Sequence, residues 1–417
     1  MAYAALGSEY EFLDETTLAG EYVRRAYDLR ARVTELEKLE IESTYYHYVT
    51  GDMEKTRQVY ELEAQTYPRS YEPPLRLWLL YSQIGQLDKA LAQIREVIWL
   101  DPTVVAAYGN LVSAYTYLDR LDEARAAAQQ ALEKRFDSFL LRIQLYRLAF
   151  LDHDAAGMEN QVKWARGKPG IEDEFLQVEA DTAAYFAEVK KSREFLRQAV
   201  ASAIQAQKKE KAAVFEARGA LREALFGNME EARLLAIPAS GRSDNREAQY
   251  SAVLALALAG DTVRAQLLAN DFAKRYPEDT IVQFNYLPTI RAQIALNRGN
   301  PSEAIDNLQA AVPYELGAIT VALYMCPVYV RANAYLAAHQ VAQAVGEFQK
   351  IIDHRGIVRN HIVGALAHLQ LARAYTIIGD KSRAKSAYQD FLNLWKDADS
   401  DVPLLKQAKA EYANLHL

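Results

Sequence analysis

Three histidines, His354, His361 and His368, stand at equal intervals of two helical turns, a spacing to test first for a metal or an acid–base pair. On a helix the last two would share a face about 10 Å apart. One metal ion holds its ligands at about 2 Å, so the spacing excludes a shared ion and leaves the imidazoles to hydrogen bonding. The stretch HRGIVRN, His354 to Asn360, has the outline of the H-R-D-L-x-x-x-N loop of phosphoryl transfer. Gly356 stands where the catalytic Asp belongs and Asn360 comes one place early, so neither the base nor the metal ligand is in position. Ser243, Asp244 and Asn245 spell the S-D-N element of penicillin-binding enzymes, but no K-T-G follows. Nor is there a strand–turn–helix elbow to strain a nucleophilic serine. Cys326 is the one cysteine. It excludes a disulfide framework and a thiolate metal cluster and reads as a small buried hydrophobe. No catalytic, cofactor or metal residue is therefore expected.

What remains is the chemistry of recognition. Tyr45, Tyr48, Arg76, Asn110 and Tyr117 in the first half, and Tyr286, Tyr329, Asn333 and Arg373 in the second, are types that suit a peptide ligand. Asn both donates to and accepts from a backbone amide. Arg forks onto a carboxylate. Tyr supplies contact area with a polar tip. Such residues form a surface only if repeated elements line them up.

Repeated elements are present. GDMEKTRQVYELEAQTYP, GQLDKALAQIREVIWLDP and DRLDEARAAAQQALEKRF begin at Gly51, Gly85 and Asp119, at equal intervals. A fixed period of this size marks a repeat array. Turn positions recur around His153 and Ala187 and at Gly227, Gly260, Gly299, His339 and Gly379. Shortly after each turn comes Thr56, Ala90, Ala124, Ala232, Ala265, Ala304, Ala344 or Ala384, with Met158 and Ser192 in the degenerate middle. The first residues fit a turn at Asp14 followed by Ala19. A small residue at the turn lets one helix end and the chain reverse. The Ala early in the second helix allows close approach to the first. Tyr81, Tyr115, Tyr335 and Tyr375, one helical turn before the reversal, fill the wedge between the two. Pro68 and Pro102 stop the second helix.

This pattern resembles the tetratricopeptide repeat, an antiparallel helix pair of about 34 residues. Leu77, Tyr81, Gly85, Ala90 and Pro102 carry the likeness in one copy, and Tyr108, Leu111, Tyr115, Ala124 and Ala131 in the next. The resemblance implies an all-α, tetratricopeptide-like, right-handed superhelical solenoid of about eleven antiparallel helix pairs with a C-terminal capping helix. Stacked pairs of this kind present a concave face to partners, and the nine candidate residues are placed on it. In such arrays a two-carboxylate clamp of Lys, Asn, Lys and Arg can hold a chaperone C-terminus; Asn110 fits one place, and the full set is absent.

The wording of YPEDTIVQFNYLPTIRAQIALNRGNPSEAI, IIDHRGIVRNHIVGALAHLQLARAY and YQDFLNLWKDAD, with AYDLRARVTELEKLEIES near the start, resembles the C-terminal repeat region of bacterial eukaryotic-type serine/threonine protein kinases. The kinase part itself is missing: there is no G-x-G-x-x-G, V-A-I-K or D-F-G. The resemblance implies a docking or sensor region of a larger kinase-like signalling protein. The chain opens inside its first helix with no polar cap, which is expected of a piece of a longer protein or of a first repeat covered by something else.

Composition agrees with a folded array. Half of the 417 residues are apolar, with 12 Pro and 18 Gly, which excludes disorder. The net charge of −7 and the mixing of Lys with Glu in AEVKKSREFLRQ argue against nucleic acid as a partner. No apolar run approaches the roughly 18 residues of a membrane span, and MAYAALGSEYEF is no signal peptide. These features point to the cytoplasm, or beyond the inner membrane if a membrane anchor precedes the repeats in a parent protein.

The repeats divide at IPASGRSDN, Ile237 to Asn245, which reads as a loop and a softer joint. Residues 1–245 hold about seven pairs, 246–400 about four with a longer period, and 401–417 the cap. Longer helices or connections are expected in the second part. The function expected is a non-catalytic scaffold binding a protein or peptide. The alternatives are a hydrolase hidden in the degenerate repeats, or a self-associating module that uses its uncapped first repeat.

Overall fold

The computed structural model describes residues 1–12, 15–318 and 324–415; the turn expected at Asp14 lies outside them. Among the described residues all regular structure is helical. Twenty-two of the 24 α-helices form eleven successive pairs, from Ala2–Phe12 with Thr16–Asp28 to Ile362–Ile377 with Lys381–Leu394. The helix Pro403–Asn414 follows the last pair.

The turn inside a pair is where sequence and backbone agree best. All ten positions marked by the spacing, from Gly51 to Gly379, adopt the left-handed conformation. At Asp119, His153, Ala187 and His339 the residue carries a side chain and still sits at φ 55–57°. A left-handed non-glycine is strained locally, so the packing of the two helices sets the turn and the residue follows. Ala90, Ala124, Ala232, Ala265, Ala304, Ala344 and Ala384 are all fully buried. They are the small contacts that let each second helix lie close to its first.

One expectation needs correction and another becomes more definite. IPASGRSDN is mostly not a loop: Ile237 to Arg242 continue the helix Met229–Arg242, with Pro238 inside it. Proline removes a backbone bond there, but Ala232, Ala236 and Ala239 are buried along one side, and their packing holds the helix. Only 243–245 of that stretch lie outside helices. The longer C-terminal period lies in connections, between Gln309 and Cys326 and between Asp353 and Ile362, and in long first helices, Val282 to Asn297 and Ile362–Ile377.

The array also closes on itself, which no periodicity announces. Thr280 N–H donates to the Gly51 carbonyl at 3.0 Å, and Met53 N–H donates to Thr280 Oγ1 at 3.1 Å. Ala318 N–H donates to the Ser82 carbonyl at 3.0 Å. Gly356 N–H donates to Asp119 Oδ1 at 2.9 Å, and Asn360 Nδ2 to the Val178 carbonyl at 2.9 Å. Trp395 Nε1 donates to the Tyr185 carbonyl at 2.9 Å. Each contact joins an early pair to a late one. One hydrophobic core accordingly runs from Met53 to Ala408 through both parts of the chain.

The first pair is held by a distant carboxylate. Glu210 accepts from the backbone N–H groups of Thr16 at 3.1 Å and Thr17 at 3.2 Å, and from the Thr16 hydroxyl. It satisfies donors that the start of Thr16–Asp28 leaves open and sits where the helix dipole favours negative charge. Glu210→Gln is expected to cost about 1 kcal/mol at that helix end. Hydrogen exchange should then show faster exchange across residues 16–28 with little change near Ala90. Unchanged protection of that helix would mean Glu210 does not hold it.

Candidate functional site

Where the N-terminal pairs face residues 244–286, closure leaves a cavity of about 450 Å³. Its walls come from both parts of the chain: Thr16 to Arg24, His47 to Val49 and Gln83 on one side, Asp244 to Glu247 and Arg275 to Tyr286 on the other. Two irregularities shape it. Tyr45–Thr50 and Val282–Tyr286 are π-helical, and each contributes wall residues. A π-turn inserts one residue into the helical register, re-aims the side chains around it and is frequent at functional sites. Here the first turn brings His47, Tyr48 and Val49 to the cavity, and the second brings Tyr286.

Most polar groups of the wall are already engaged. His47 Nε2 donates to Gln83 Oε1 at 3.0 Å, so its Nδ1 accepts from the Tyr60 hydroxyl at 3.2 Å. Burial pushes this imidazole down to about 4, so it is neutral at physiological pH and serves as a fixed hydrogen-bonding strut. Arg246 is the clamp across the closure. Its Nη2 donates to the carbonyls of Tyr48 at 3.0 Å and Val49 at 3.2 Å, and its Nε lies 2.7 Å from Asp279 Oδ2. Burial raises the pKa of Asp279, with Arg246 opposing. Gly51 is pressed against that carboxylate, where a Cβ would overlap it, and holds φ at 70°. Arg275 pairs with Asp244 at 2.6 Å. At the rim, Glu21 and Arg24 are exposed.

The nine candidate residues separate into three fates. Tyr48 and Tyr286, from opposite halves of the sequence, line the same cavity. Asn110 and Tyr117 are buried on the helix that faces 355–358, and the Arg359 guanidinium stands 5.4 Å from the Tyr117 ring. The chain's own connection packs at the end of this helix, at Thr116 and Tyr117. The remainder make contacts within the chain. Tyr45 stacks on Tyr27 at 3.8 Å, and Arg76 donates to Glu63 at 3.1 Å. The Tyr329 hydroxyl lies 3.4 Å from Gln370 Nε2, and Asn333 Nδ2 donates to the Tyr329 carbonyl at 2.8 Å. Arg373 forks onto Glu411 of the last helix, with both bonds at 2.9 Å.

The residues first singled out for chemistry also receive structural positions. His361 Nδ1 accepts from Val363 N–H at 3.4 Å, at the start of Ile362–Ile377, and His354 Nδ1 donates to the Lys350 carbonyl at 2.8 Å. Asn245 caps Arg246–Leu258, accepting from Glu247 N–H at 3.0 Å, so S-D-N here is a helix start. Cys326 is buried, which pushes its thiol up to about 12. Among the described residues no group of three or more His, Cys, Asp or Glu could hold a metal ion. None of their helices is long and apolar enough to cross a membrane. Sequence reading missed Arg24, Arg246, Arg275 and Asp279, because their importance depends on which pairs meet after closure.

Comparison with solved structures returns distant matches. Yeast Tom70 aligns over 100% of this chain and 95% of its own, at 12% identity and a TM-score of 0.40. The Cut9–Hcn1 hetero-tetramer of APC/C aligns over 96% of this chain and 74% of its own, at 13% identity and 0.46. A tetratricopeptide repeat protein from Parabacteroides merdae ATCC 43184 aligns over 70% of this chain and 98% of its own, at 14% and 0.31. No curated protein matches the chain. The family model of the tetratricopeptide repeat matches residues 105–133. These are the helices Val105–Tyr117 and Leu121–Glu133, so the fourth helix pair carries the tetratricopeptide signature.

Proposed function

We propose that the chain is a non-catalytic scaffold that binds an extended segment of a protein or peptide in the cavity between the N-terminal pairs and residues 244–286. The observation that carries this reading is the meeting of Tyr48 and Tyr286 in one cavity of about 450 Å³. That volume is within the range of ligand sites, about 300–1,000 Å³. Tyrosine supplies apolar area with a polar tip, and the rim residues Glu21 and Arg24 offer charges of both signs to a peptide backbone and its side chains. The likeness of the sequence to kinase repeat regions extends the proposal to a docking region of a larger signalling polypeptide. Mixing the chain with a bacterial kinase domain of that type and measuring co-sedimentation tests the extension; two independent boundaries would sink it.

The binding site is tested with Tyr48→Ala combined with Arg24→Ala. A displayed peptide library is selected on the full chain, and the best peptide is titrated by calorimetry. The double variant is expected to lose about 2 kcal/mol, roughly thirtyfold in Kd, with its circular dichroism unchanged. Ala384→Leu is the control. It overpacks the pair Ile362–Ile377 with Lys381–Leu394, which contributes no wall residue, and should lower Tm while leaving the affinity of the folded fraction intact. Equal binding by the double variant and the parent would place the site elsewhere.

A further inference from the structure

The helix Thr16–Asp28 packs against the π-turn Tyr45–Thr50. Gly20, Arg24 and Tyr27 fall on one stripe of that helix, because residues four and seven apart share a face. At Tyr27 the space between the two elements is filled. Its ring stacks on Tyr45 with centroids 3.8 Å apart, and the Arg30 guanidinium lies 3.7 Å from the same ring centre. Groups that close to one ring must take opposite faces, so Tyr27 is held between Arg30 and Tyr45. Two turns earlier, about 10 Å along the axis, the corresponding position has no side chain: it is Gly20.

Neither backbone nor packing accounts for this glycine. Gly20 sits inside the helix with ordinary helical backbone, where Ala is the more stable choice. Among the described residues a Cβ built there meets one atom within 4 Å, Arg24 Nη1 at 3.9 Å, which is ordinary contact. Gly7, on the preceding helix, differs: a Cβ there would lie 2.5 Å from Val23 Cγ2, so packing requires that glycine. Gly20 is buried and lines the cavity of about 450 Å³ together with Arg24 and Tyr48. Bare helix backbone is thus part of the cavity floor, the arrangement that lets a ligand approach a main chain closely. The charges around it favour an uncharged guest. Arg246 pairs with Asp279 at 2.7 Å, Arg275 with Asp244 at 2.6 Å and Glu247 with Arg218 at 2.8 Å. His47, Tyr48, Tyr276 and Tyr286 give the wall its aromatic rings.

We infer that the shelf at Gly20 receives an aromatic side chain of the bound segment, a Phe, Tyr or Trp, seated between Arg24 and Tyr48 as Tyr27 is seated between Arg30 and Tyr45. A guanidinium stacks on an aromatic face and is attracted by its quadrupole, and a second ring adds offset stacking. The inference rests on the peptide-binding reading and names the residue class that the cavity selects. Gly20 is then a specificity-determining residue: the ligand supplies the ring that the helix lacks at this turn.

The test is a double-mutant cycle on the full chain, with the peptide selected from the displayed library as the probe and calorimetry as the readout. Selected peptides should share an aromatic residue, and changing it to Ala should raise Kd about thirtyfold. Gly20→Ala should raise Tm, because it removes a glycine from a helix interior, and yet raise Kd about fivefold. Gly20→Leu fills the shelf and should raise Kd about thirtyfold. On Gly20→Leu the aromatic-to-Ala change in the peptide should then cost less than about twofold, because the two changes remove one contact. A full loss from the peptide change on both the parent and Gly20→Leu would overturn the inference, as would selected peptides with no shared aromatic residue. Tyr48→Ala separates this from the reading beneath it. If Tyr48→Ala weakens binding while both glycine variants bind as the parent does, the shelf alone is overturned. If Tyr48→Ala leaves Kd unchanged, or no peptide is selected, the cavity reading fails and the shelf with it.

Discussion

Gly356→Ala is expected to destabilise the closed array by about 3 kcal/mol, near the upper end of what overpacking costs. A Cβ at this position would overlap the carbonyl oxygen of Thr116. That oxygen belongs to backbone inside the helix Val105–Tyr117, which cannot rotate away as a side chain can. The connection must therefore lift. Lifting it stretches the bond from Gly356 N–H to Asp119 Oδ1 and unseats Arg359 and Asn360, both buried. Gly346→Ala is the control. It lies within the helix Val341–Asp353, and a Cβ there meets nothing within 4 Å, so alanine should stabilise by about 0.5–1 kcal/mol. Urea midpoints read both. Equal midpoints for the two variants would show that the connection does not seat as described.

Arg246→Met should have an effect of similar size and a pH signature that the glycine variant lacks. Removing the guanidinium leaves Asp279, 2% exposed, without its ion-pair partner at 2.7 Å. Breaking a buried pair on one side costs about 3–5 kcal/mol. Asp279 already has a raised pKa because burial outweighs Arg246; without Arg246 it rises further. A carboxylate whose folded pKa lies above its unfolded value of about 3.9 binds protons more tightly when folded. Stability then falls as pH rises through that window and returns as pH drops. The deficit of the variant should be largest at pH 7 and shrink toward pH 5. Asp279→Asn in the same background should recover part of the loss at pH 7. A deficit independent of pH would mean that Asp279 is not the group left uncompensated.

The helix pairs are legible in the sequence because their determinants are local and periodic. Ala90, Ala124 and Ala232 mark close approach wherever they occur, and the spacing even locates the left-handed turns at His153 and Ala187, which carry no glycine. Pro238 misleads because a local rule meets packing from Ala232, Ala236 and Ala239. The cavity is legible in part. The spacing picks out Tyr48 and Tyr286 as candidates, but their meeting in one cavity depends on two π-turns and on Arg246 reaching Asp279, and neither leaves a repeating trace. Asn110 and Tyr117 are buried. The connection that packs at Tyr117 fits because one side chain is missing, at Gly356, and a lone glycine carries little information by itself.

Closure changes how the chain must be made. In an open repeat array each unit finds its contacts within its neighbours, and order can spread from any point. Here the Asp119 carboxylate waits for a backbone amide 237 residues later, and the Val178 carbonyl for a side chain 182 residues later. During synthesis from the N-terminus the early repeats would stand with their inner faces bare until the 354–361 connection arrives. Exposed apolar surface of that kind is prone to aggregate. Because the entropy of closing a loop grows only slowly with its length, the first late contact to form bears most of the ordering cost, and the others follow over short distances. Speed of synthesis, and not only stability, therefore bears on how much of this chain reaches its closed form.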